Sequence, residues 1–389
     1  MQRGIQGRER VLRVGGEQYR VFTPRPLPPD PPLSLDARLQ DLLEQANRAL
    51  GRLDGLATLL PDRALFLYFY VRKEAVLSSQ IEGTQSSMSE LLLFESDELP
   101  GIPLDDVLEV SRYVAALDAG LVRLRKGFPL SLRLIREIHA VLLAGGRGSD
   151  QTPGEFRRSQ NWIGGSRPGN ALFVPPAPAD VVPCLGALER FLHDEGGRTP
   201  TLIKAALAHV QFETVHPFLD GNGRLGRLLI TFLLCAEGAL SEPLLYLSLY
   251  LKSNRTRYYE LLQEVRMNGD WEAWLDFFLT GVLATAEQAT STARRILAMF
   301  ERDRQRVERV GRGAGTALRV FDILRRGPVS AAARIASRTG LSRPAVGAAL
   351  VRLQDLGIVR EVTGRRWGRV FAYGEYLDVL SEGTEPLPA

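Results

Sequence analysis

A mostly α-helical protein of several domains is predicted by three features of the sequence. Apolar residues recur three and four apart through most of residues 35–310, the period of an amphipathic helix. Glycine, proline and asparagine gather in one long interruption, "GGRGSDQTPGEFRRSQNWIGGSRPGNALFVPPAPADV", where "ALFVPP" is the β-like piece. At 389 residues the chain is long enough for two or three separate cores.

The elements follow in order. Residues 1–36 end in "TPRPLPPDPPLSLD" and are predicted to form an extended, proline-rich lead-in rather than a core element. Residues 37–128 are predicted to be an N-terminal helical region, with helical spacing from Leu35 to Leu93 and a further helix over Leu104–Lys126. Residues 129–284 make the central core. It opens with Ser131 placed as a cap before "LRLIREIHAVLL", then passes through the long interruption, read as a loop ending in a small β-hairpin. Helices are then predicted over Asp180–His193, Thr201–His216, Arg224–Ala236 and Asn254–Met267, with a long one from Trp271 to near Val310. Residues 285–315 complete that helix and add the joint "GRGAGT", and residues 316–380 form a C-terminal domain.

Composition narrows the class. With 45% hydrophobic and 24% charged residues, the chain has the balance of an ordinary globular protein. Its two cysteines, Cys184 and Cys235, have neither metal nor disulfide spacing, which fits a reducing cytoplasm. The opening "MQRGIQGRER" reads as no secretory signal. The longest apolar run, Leu228 to Ala236, falls short of the ~20 residues that cross a bilayer, so no membrane partner is expected. The net charge of +4 is uneven. Residues 311–373 carry twelve arginines against three carboxylates, so the rest is net acidic and the tail suits a polyanion.

The segment richest in chemistry is "HPFLDGNGRLGR", His216 to Arg227. Gly221, Gly223 and Gly226 spell G-x-G-x-x-G, but the helical spacing of "TLIKAALAHVQFETV" before it rules out the strand a dinucleotide fold requires. No Lys-Ser or Lys-Thr follows, so it is no P-loop. His209, Glu213, His216 and Asp220 would share one helix face as a metal cage, except that Pro217 ends the helix at or before His216. What remains is a flexible "DGNG" loop running into a helix near Arg224. Its free amides and positive end form an anion site, to which Arg224 and Arg227 add charge. Asp220 at its mouth suits Mg²⁺ with phosphate oxygens, and His216 can act as a base near neutral pH. A glycine-capped loop between core helices would explain any one of these residues but not the set.

The same twelve residues resemble the complete signature of the Fic family, H-P-F-x-[D/E]-G-N-G-R-x-x-R, at every fixed position. The resemblance implies a Fic-type helical core with a β-hairpin flap, and transfer of AMP from ATP to a Ser, Thr or Tyr hydroxyl of a target protein. Self-modification is among the implied outcomes. It implies that His216 deprotonates the hydroxyl and that Asp220 holds Mg²⁺. Asn222 and the backbone of Gly221, Gly223, Leu225 and Gly226 would cradle the phosphates, and Arg224 and Arg227 would neutralise the pyrophosphate end. Phe218 would anchor the loop. Arg224 stands where the kinase-like Doc branch has Lys, which favours an adenylyl donor. "ALFV", Ala171, Leu172, Phe173 and Val174, resembles the flap that aligns the target segment by strand addition. "GEFR" (Gly154–Arg157) and "IGG" (Ile163–Gly165) resemble its lead-in. Tyr258 and Tyr259 stand where relatives flank the nucleoside, with helix packing as the competing account of each. Arg266 and Asn268 are both candidates for the adenine edge, and UTP stays open as a donor.

Upstream, "SSQIEG" from Ser78 to Gly83 resembles the family's inhibitory motif, in which Glu82 would pair with Arg227 and hold ATP in an unproductive pose. The same glutamate would, in the reverse role, direct water to strip AMP from targets. In the tail, helices over Thr316–Arg326, "SAAARIASRTG" and Ser342–Leu356, then strands "IVREV" and "RVFAY", resemble a winged helix-turn-helix domain. Arg343 would reach bases, and Arg365 and Arg366 of the wing would reach phosphates. Protein docking or homodimer formation competes with DNA binding for this module. A DNA-binding regulator whose Fic core holds nucleotide with little turnover competes with the enzyme.

Overall fold

The computed structural model describes residues 3–14, 16–59, 63–95, 104–145, 148–193, 199–364 and 368–387. Strands β1 (Gly7–Val14) and β2 (Glu17–Pro24) form an antiparallel hairpin with Gly7 opposite Pro24. Helices α1 (Ala37–Leu59), α2 (Arg63–Ile81), α3 (Met88–Glu95) and α4 (Leu104–Arg125) follow. After α5 (Leu132–Leu142) and the long loop come α6 (Pro178–Leu192), α7 (Thr201–Val215) and α8 (Asn222–Ala236). The helical body closes with α9 (Ser248–Ser253), α10 (Arg255–Asn268) and α11 (Trp271–Glu308).

Helix α7 is the centre of the body. Every residue from Leu202 to Val215 is buried, and α6, α8, α10 and α11 pack around it. A helix that is buried all round needs no amphipathic stripe, so its sequence is apolar on nearly every face. Against it α11 runs for 38 residues, and its first half also lies along α1. Trp274 of α11 is fully buried and donates its indole N–H to the Ala206 carbonyl at 3.0 Å. Among the described residues no helix is long and apolar enough to cross a membrane.

The C-terminal unit comprises α12 (Ala314–Arg326), β3 (Val329–Ala331), α13 (Ala332–Thr339), α14 (Arg343–Asp355), β4 (Val359–Glu361), β5 (Val370–Tyr373) and α15 (Gly374–Ser381). Its sheet has the order β3-β5-β4, all antiparallel. Gly340 in the left-handed region ends α13, and the Ser342 hydroxyl caps α14 by accepting from Ala345 N. The unit is fastened to α11 through Asp303, buried to 1% exposure. Tyr373 donates its hydroxyl to Asp303 Oδ2 at 2.7 Å, and Arg302 and Arg306 donate to Oδ1 at 2.9 Å each.

Several expectations need correction. Residues 7–24 are a β-hairpin, not an extended lead-in, and Tyr19 and Val21 form a small core with Val174 and Ala177. The flap at 171–174 is a minimal antiparallel hairpin as expected, joined to its lead-in by the Ile163–Phe173 bridge. Helix α8 starts two residues earlier than Arg224, because Gly221 takes the left-handed conformation before it. The boundary placed between 284 and 285 falls inside the unbroken α11. Strand β3 and helices α9 and α15 stand where none was predicted. Arg365 and Arg366 lie outside the described residues.

Removing the Asp303 carboxylate strands the buried Tyr373 hydroxyl, while Arg302 and Arg306 keep Glu375 and the Leu356 carbonyl as partners. Asp303→Ala is expected to destabilise the chain by about 2 kcal/mol, and Tyr373→Phe by about 1 kcal/mol. Urea unfolding curves check the order; an Asp303→Ala midpoint equal to the wild type contradicts it.

Candidate active site

The site is built on the break after α7. Pro217 bars His216 from the helical region, and His216 takes φ 47°, ψ 62° instead. A left-handed L-residue costs about 1–3 kcal/mol, so its surroundings must enforce it. Arg157 is buried and donates Nε to the His216 carbonyl at 2.9 Å, and Nη2 to Pro176 O at 2.6 Å and Val215 O at 3.3 Å. Asn161 Nδ2 donates to His216 O at 3.1 Å and Phe218 O at 2.8 Å. A cation at the carbonyl end of α7 also answers the helix dipole. Burial lowers the Arg157 pKa only to about 10, so it stays charged at neutral pH.

The loop beyond is held from two sides. Asn222 Oδ1 accepts from Phe218 N at 2.9 Å and Nδ2 donates to Phe218 O at 2.8 Å, which commits its carboxamide to the loop itself. Phe218 is buried and stacks on His139 with ring centroids 3.7 Å apart. His139 Nδ1 accepts from Gly154 N at 2.8 Å, so Nε2 carries the proton it donates to Asp220 O at 3.0 Å. Asp220 Oδ1 accepts from Gly221 N at 2.6 Å, and its carboxylate remains 30% exposed at the mouth of the loop.

Both loop arginines are answered by carboxylates from the N-terminal helices. Arg227, 2% exposed, donates Nη2 to Glu82 Oε1 at 2.7 Å and to Ser78 O at 2.9 Å, and Nε to Ser78 Oγ at 2.8 Å. Burial alone would raise the Glu82 pKa, but the Arg227 charge and hydrogen bond outweigh it and hold the group below its ordinary value. Gly223 is the residue that lets this happen: a methyl there would collide with Glu82 Oε1. The Glu82 carboxylate therefore sits on the first turn of α8, where an incoming anion would sit. Arg224, 1% exposed, pairs with Glu109 of α4 at 2.9 Å and lies 3.7 Å from Asp220 Oδ1 at the mouth, so it stands between the two carboxylates. Thr84, just past the Glu82 turn, donates its hydroxyl to the same Glu109 at 3.1 Å.

His216 itself is a neutral imidazole at pH 7. Burial first, then the nearby Arg266 charge, lowers its pKa to about 4, and its ring keeps 19% exposure. Its Nδ1 lies 3.9 Å from Glu213, whose pKa burial raises to about 7. Gly226 is a close-approach glycine, because a methyl there would strike Glu213 Oε1. His209 is an interior residue bridging Gly226 O at 3.0 Å and the Tyr258 hydroxyl at 2.8 Å. Tyr258 is thus buried with its hydroxyl committed, and of the two tyrosines only Tyr259 presents surface, at 39% exposure. Leu225 is buried in the core and offers only backbone to the site.

Arg266 is buried, donating to Thr214 Oγ1 at 3.1 Å and Glu213 O at 3.2 Å, with its guanidinium 4.0 Å above the Phe173 ring. It ties the flap to the end of α7. Asn268 donates to Glu264. In the flap Leu172 is 82% exposed, while the Val174 carbonyl accepts from Phe22 N of β2 at 3.0 Å. Among the described residues no three His, Cys, Asp or Glu side chains converge as a metal cage. A divalent ion here would have one protein carboxylate, Asp220, and complete its shell from phosphate and water, a set that suits Mg²⁺.

The positioning residues missed by sequence reasoning are His139, Asn161 and Glu109, and Arg157 entered only as the end of "GEFR", without its hold on His216. His139 had a usable signal: it sits at helical spacing from Ile135 and Leu142, on an apolar face where a polar group needs a partner. Arg157 and Asn161 lie in an irregular loop with no period to read, and Glu109 looks like one more acidic helix residue.

Residues 40–122 match the Fic/DOC family N-terminal region and residues 129–234 the Fic/DOC family. The protein adenylyltransferase Fic of Drosophila melanogaster is 29% identical over 236 residues, 59% of this chain and 44% of that protein. Its counterpart in Aedes aegypti is 33% identical over 203 residues, 51% and 37% of the two chains. The chain therefore spans less than half the length of these curated relatives. A Fic family protein from Desulfovibrio desulfuricans superimposes with a TM-score of 0.58 at 18% identity, over 88% of this chain and 97% of that one. A Fic domain containing signalling protein from Bacteroides thetaiotaomicron gives 0.52 at 21% identity, over 64% and 98%.

The His139 pKa of about 4 lies below the ordinary 6.5, with burial as the main cause. The unfolded chain then binds the extra proton, so this group's stability is present above pH 6.5 and lost as pH falls toward 4. His139→Gln is expected to remove up to one proton from the acid slope of the unfolding free energy. Matching slopes in urea titrations at pH 4.5–6.5 would contradict the buried, neutral imidazole.

Proposed function

From the two Fic/DOC family domains that this chain carries, and its homology to Fic adenylyltransferases, we propose that it transfers AMP from ATP to a Ser, Thr or Tyr hydroxyl of a protein, with Glu82 as a built-in restraint. The observation that carries the proposal is the Glu82 carboxylate on Arg227 at 2.7 Å, lying on the glycine loop beside the neutral His216. A site made for a triphosphate is held by a carboxylate of its own chain.

In the proposed reaction the first-turn amides of α8 and the Gly221–Gly226 backbone receive the phosphates. Release of Glu82 frees Arg227 to meet the pyrophosphate end. His216 takes the proton as the hydroxyl oxygen bonds to the α-phosphorus, and pyrophosphate leaves in line with both electrons of the broken P–O bond. Asp220 would hold Mg²⁺, which supplies neutralising charge when bound. The exposed Leu172 of the flap faces the target segment, whose hydroxyl must reach the imidazole, while the buried Phe173 anchors the flap. The interactions are positional and electrostatic, as phosphoryl-type transfer requires.

A reverse role uses the same parts: Glu82 aims a water at an AMP-modified side chain and releases AMP. A second function rests on the C-terminal unit, which we read as a winged helix-turn-helix. Arg343 is exposed at the capped start of α14, in a segment with twelve arginines to three carboxylates, and duplex DNA fits that face.

With α-labelled ATP, Glu82→Gly is expected to raise label on protein by tenfold or more, roughly one charge-assisted hydrogen bond at the barrier. His216→Ala should abolish it, and equal labelling in the wild type and Glu82→Gly removes the restraint. If Glu82 serves release instead, Glu82→Gly leaves a modified target intact where the wild type strips it. For DNA, log affinity measured by anisotropy should fall linearly with log salt and drop in Arg343→Ala. Affinity that ignores salt points to a protein partner.

A further inference from the structure

Past α15 the chain runs back along the helical body, where residues Glu382–Glu385 lie against α2, α9 and α11. Glu382 forms a two-pronged pair with Arg295 of α11, at 2.9 and 2.7 Å. Lys252 of α9 donates to the carbonyl of Gly383 at 3.2 Å and to that of Glu385. Gly383 takes φ 79° and leaves no room for a side chain, since a methyl there would stand 2.7 Å from Leu249 Cδ1. Thr384 is 2% exposed, with its amide and hydroxyl both donating to Ser381 O.

The Thr384 carbonyl reaches the restraint itself. Gln80, two residues before Glu82 and buried, donates Nε2 to Thr384 O at 2.8 Å and to Ser86 O at 2.9 Å. The turn that carries Glu82 closes on the same residue, because Gly83 N donates to Gln80 O at 3.1 Å. One carboxamide thus clips together the end of α2, the chain beyond Glu82 and the C-terminal segment. A buried amide is oriented by its partners, so the Thr384 carbonyl helps to fix where the turn sits. The segment also serves α2 by charge: burial lowers the pKa of Lys73 to about 8, and Glu382 and Glu385 act against that shift.

We propose that Glu382–Glu385 is a latch on the restraint: while it lies against α2, α9 and α11 it holds the Glu82 turn closed on Arg227, and its departure lets that turn open. The inference rests on the reading of Glu82 as a restraint on AMP transfer, but the closure of the turn is measurable without that reaction. A segment that only tethers the C-terminal unit would leave the Glu82 turn unmoved.

Two variants of the full chain dislodge the segment by different means. Glu382→Arg sets two cations side by side at an exposed pair, and Gly383→Val cannot hold its positive φ beside Leu249. Hydrogen–deuterium exchange at the amides of Glu82, Gly83 and Thr84 is expected to quicken about fivefold in both, the worth of roughly one hydrogen bond, with α7 unchanged. With α-labelled ATP both should raise label on protein severalfold, and neither should add to Glu82→Gly, where the latch has nothing left to hold. Unchanged exchange at the turn in both variants overturns the latch, whatever the labelling. A rise shared by α7 overturns it too, because the segment then supports the whole body rather than the turn. So does faster exchange with wild-type labelling, if Glu82→Gly does label protein. If no variant labels protein, Glu82→Gly included, it is the AMP-transfer reading that fails, and exchange at the turn still decides the latch.

Discussion

The backbone of His216 is the constraint on which the rest of the site depends. A histidine held at positive φ ends α7, turns the chain across Phe218 and delivers Gly221 to the start of α8. Nothing in an L-residue favours that conformation, so it persists only because the carbonyls around it are gripped from outside. Arg157 and Asn161 hold the His216 carbonyl, Asn222 holds Phe218, and His139 holds the Asp220 carbonyl. The imidazole, the Asp220 carboxylate and the amides of α8 are brought together by groups that do no chemistry themselves.

Charge on the loop is balanced by parts of the chain far away in sequence. Arg227 meets Glu82 and Arg224 meets Glu109, both from the N-terminal helices, and both guanidiniums are nearly fully buried. Two buried cations without these partners would carry a large desolvation cost, so the N-terminal region is electrostatically part of the site. The two pairs differ in use. Glu109 is 3% exposed and shared with Thr84, whereas Glu82 is 29% exposed at the rim, where an anion can compete for its place.

Much of this was legible from residues alone. Helix spacing gave the body, Ser131 and Ser342 were placed as caps, and Pro217 correctly parted Asp220 from the face of α7. The unreadable parts have physical reasons. The hairpin strands "RERVLRV" and "EQYRVFTP" carry no clean alternation, because β1 is largely exposed and the neighbours Val21 and Phe22 of β2 are both buried. The flap needed only one bridge because Phe22 and Arg266 support it from elsewhere. Asn222 and Tyr258 face inward, and no spacing rule tells a polar side chain that meets a ligand from one that satisfies its own backbone. Their partners, Phe218 and His209, become visible only once α7 and α8 are packed.

Helix α11 has a consequence for how such a chain can change. Its 38 residues, a rod of roughly 57 Å, carry Trp274 against α7 at one end and Asp303 against Tyr373 at the other. Each residue inserted between them would advance the far end by about 1.5 Å and swing it by roughly 100°. Length variation there is therefore quantised: gains or losses near seven residues preserve the phase of the rod, and others break one anchorage or the other. The tail module can be exchanged for another only by a graft that respects the helical pitch.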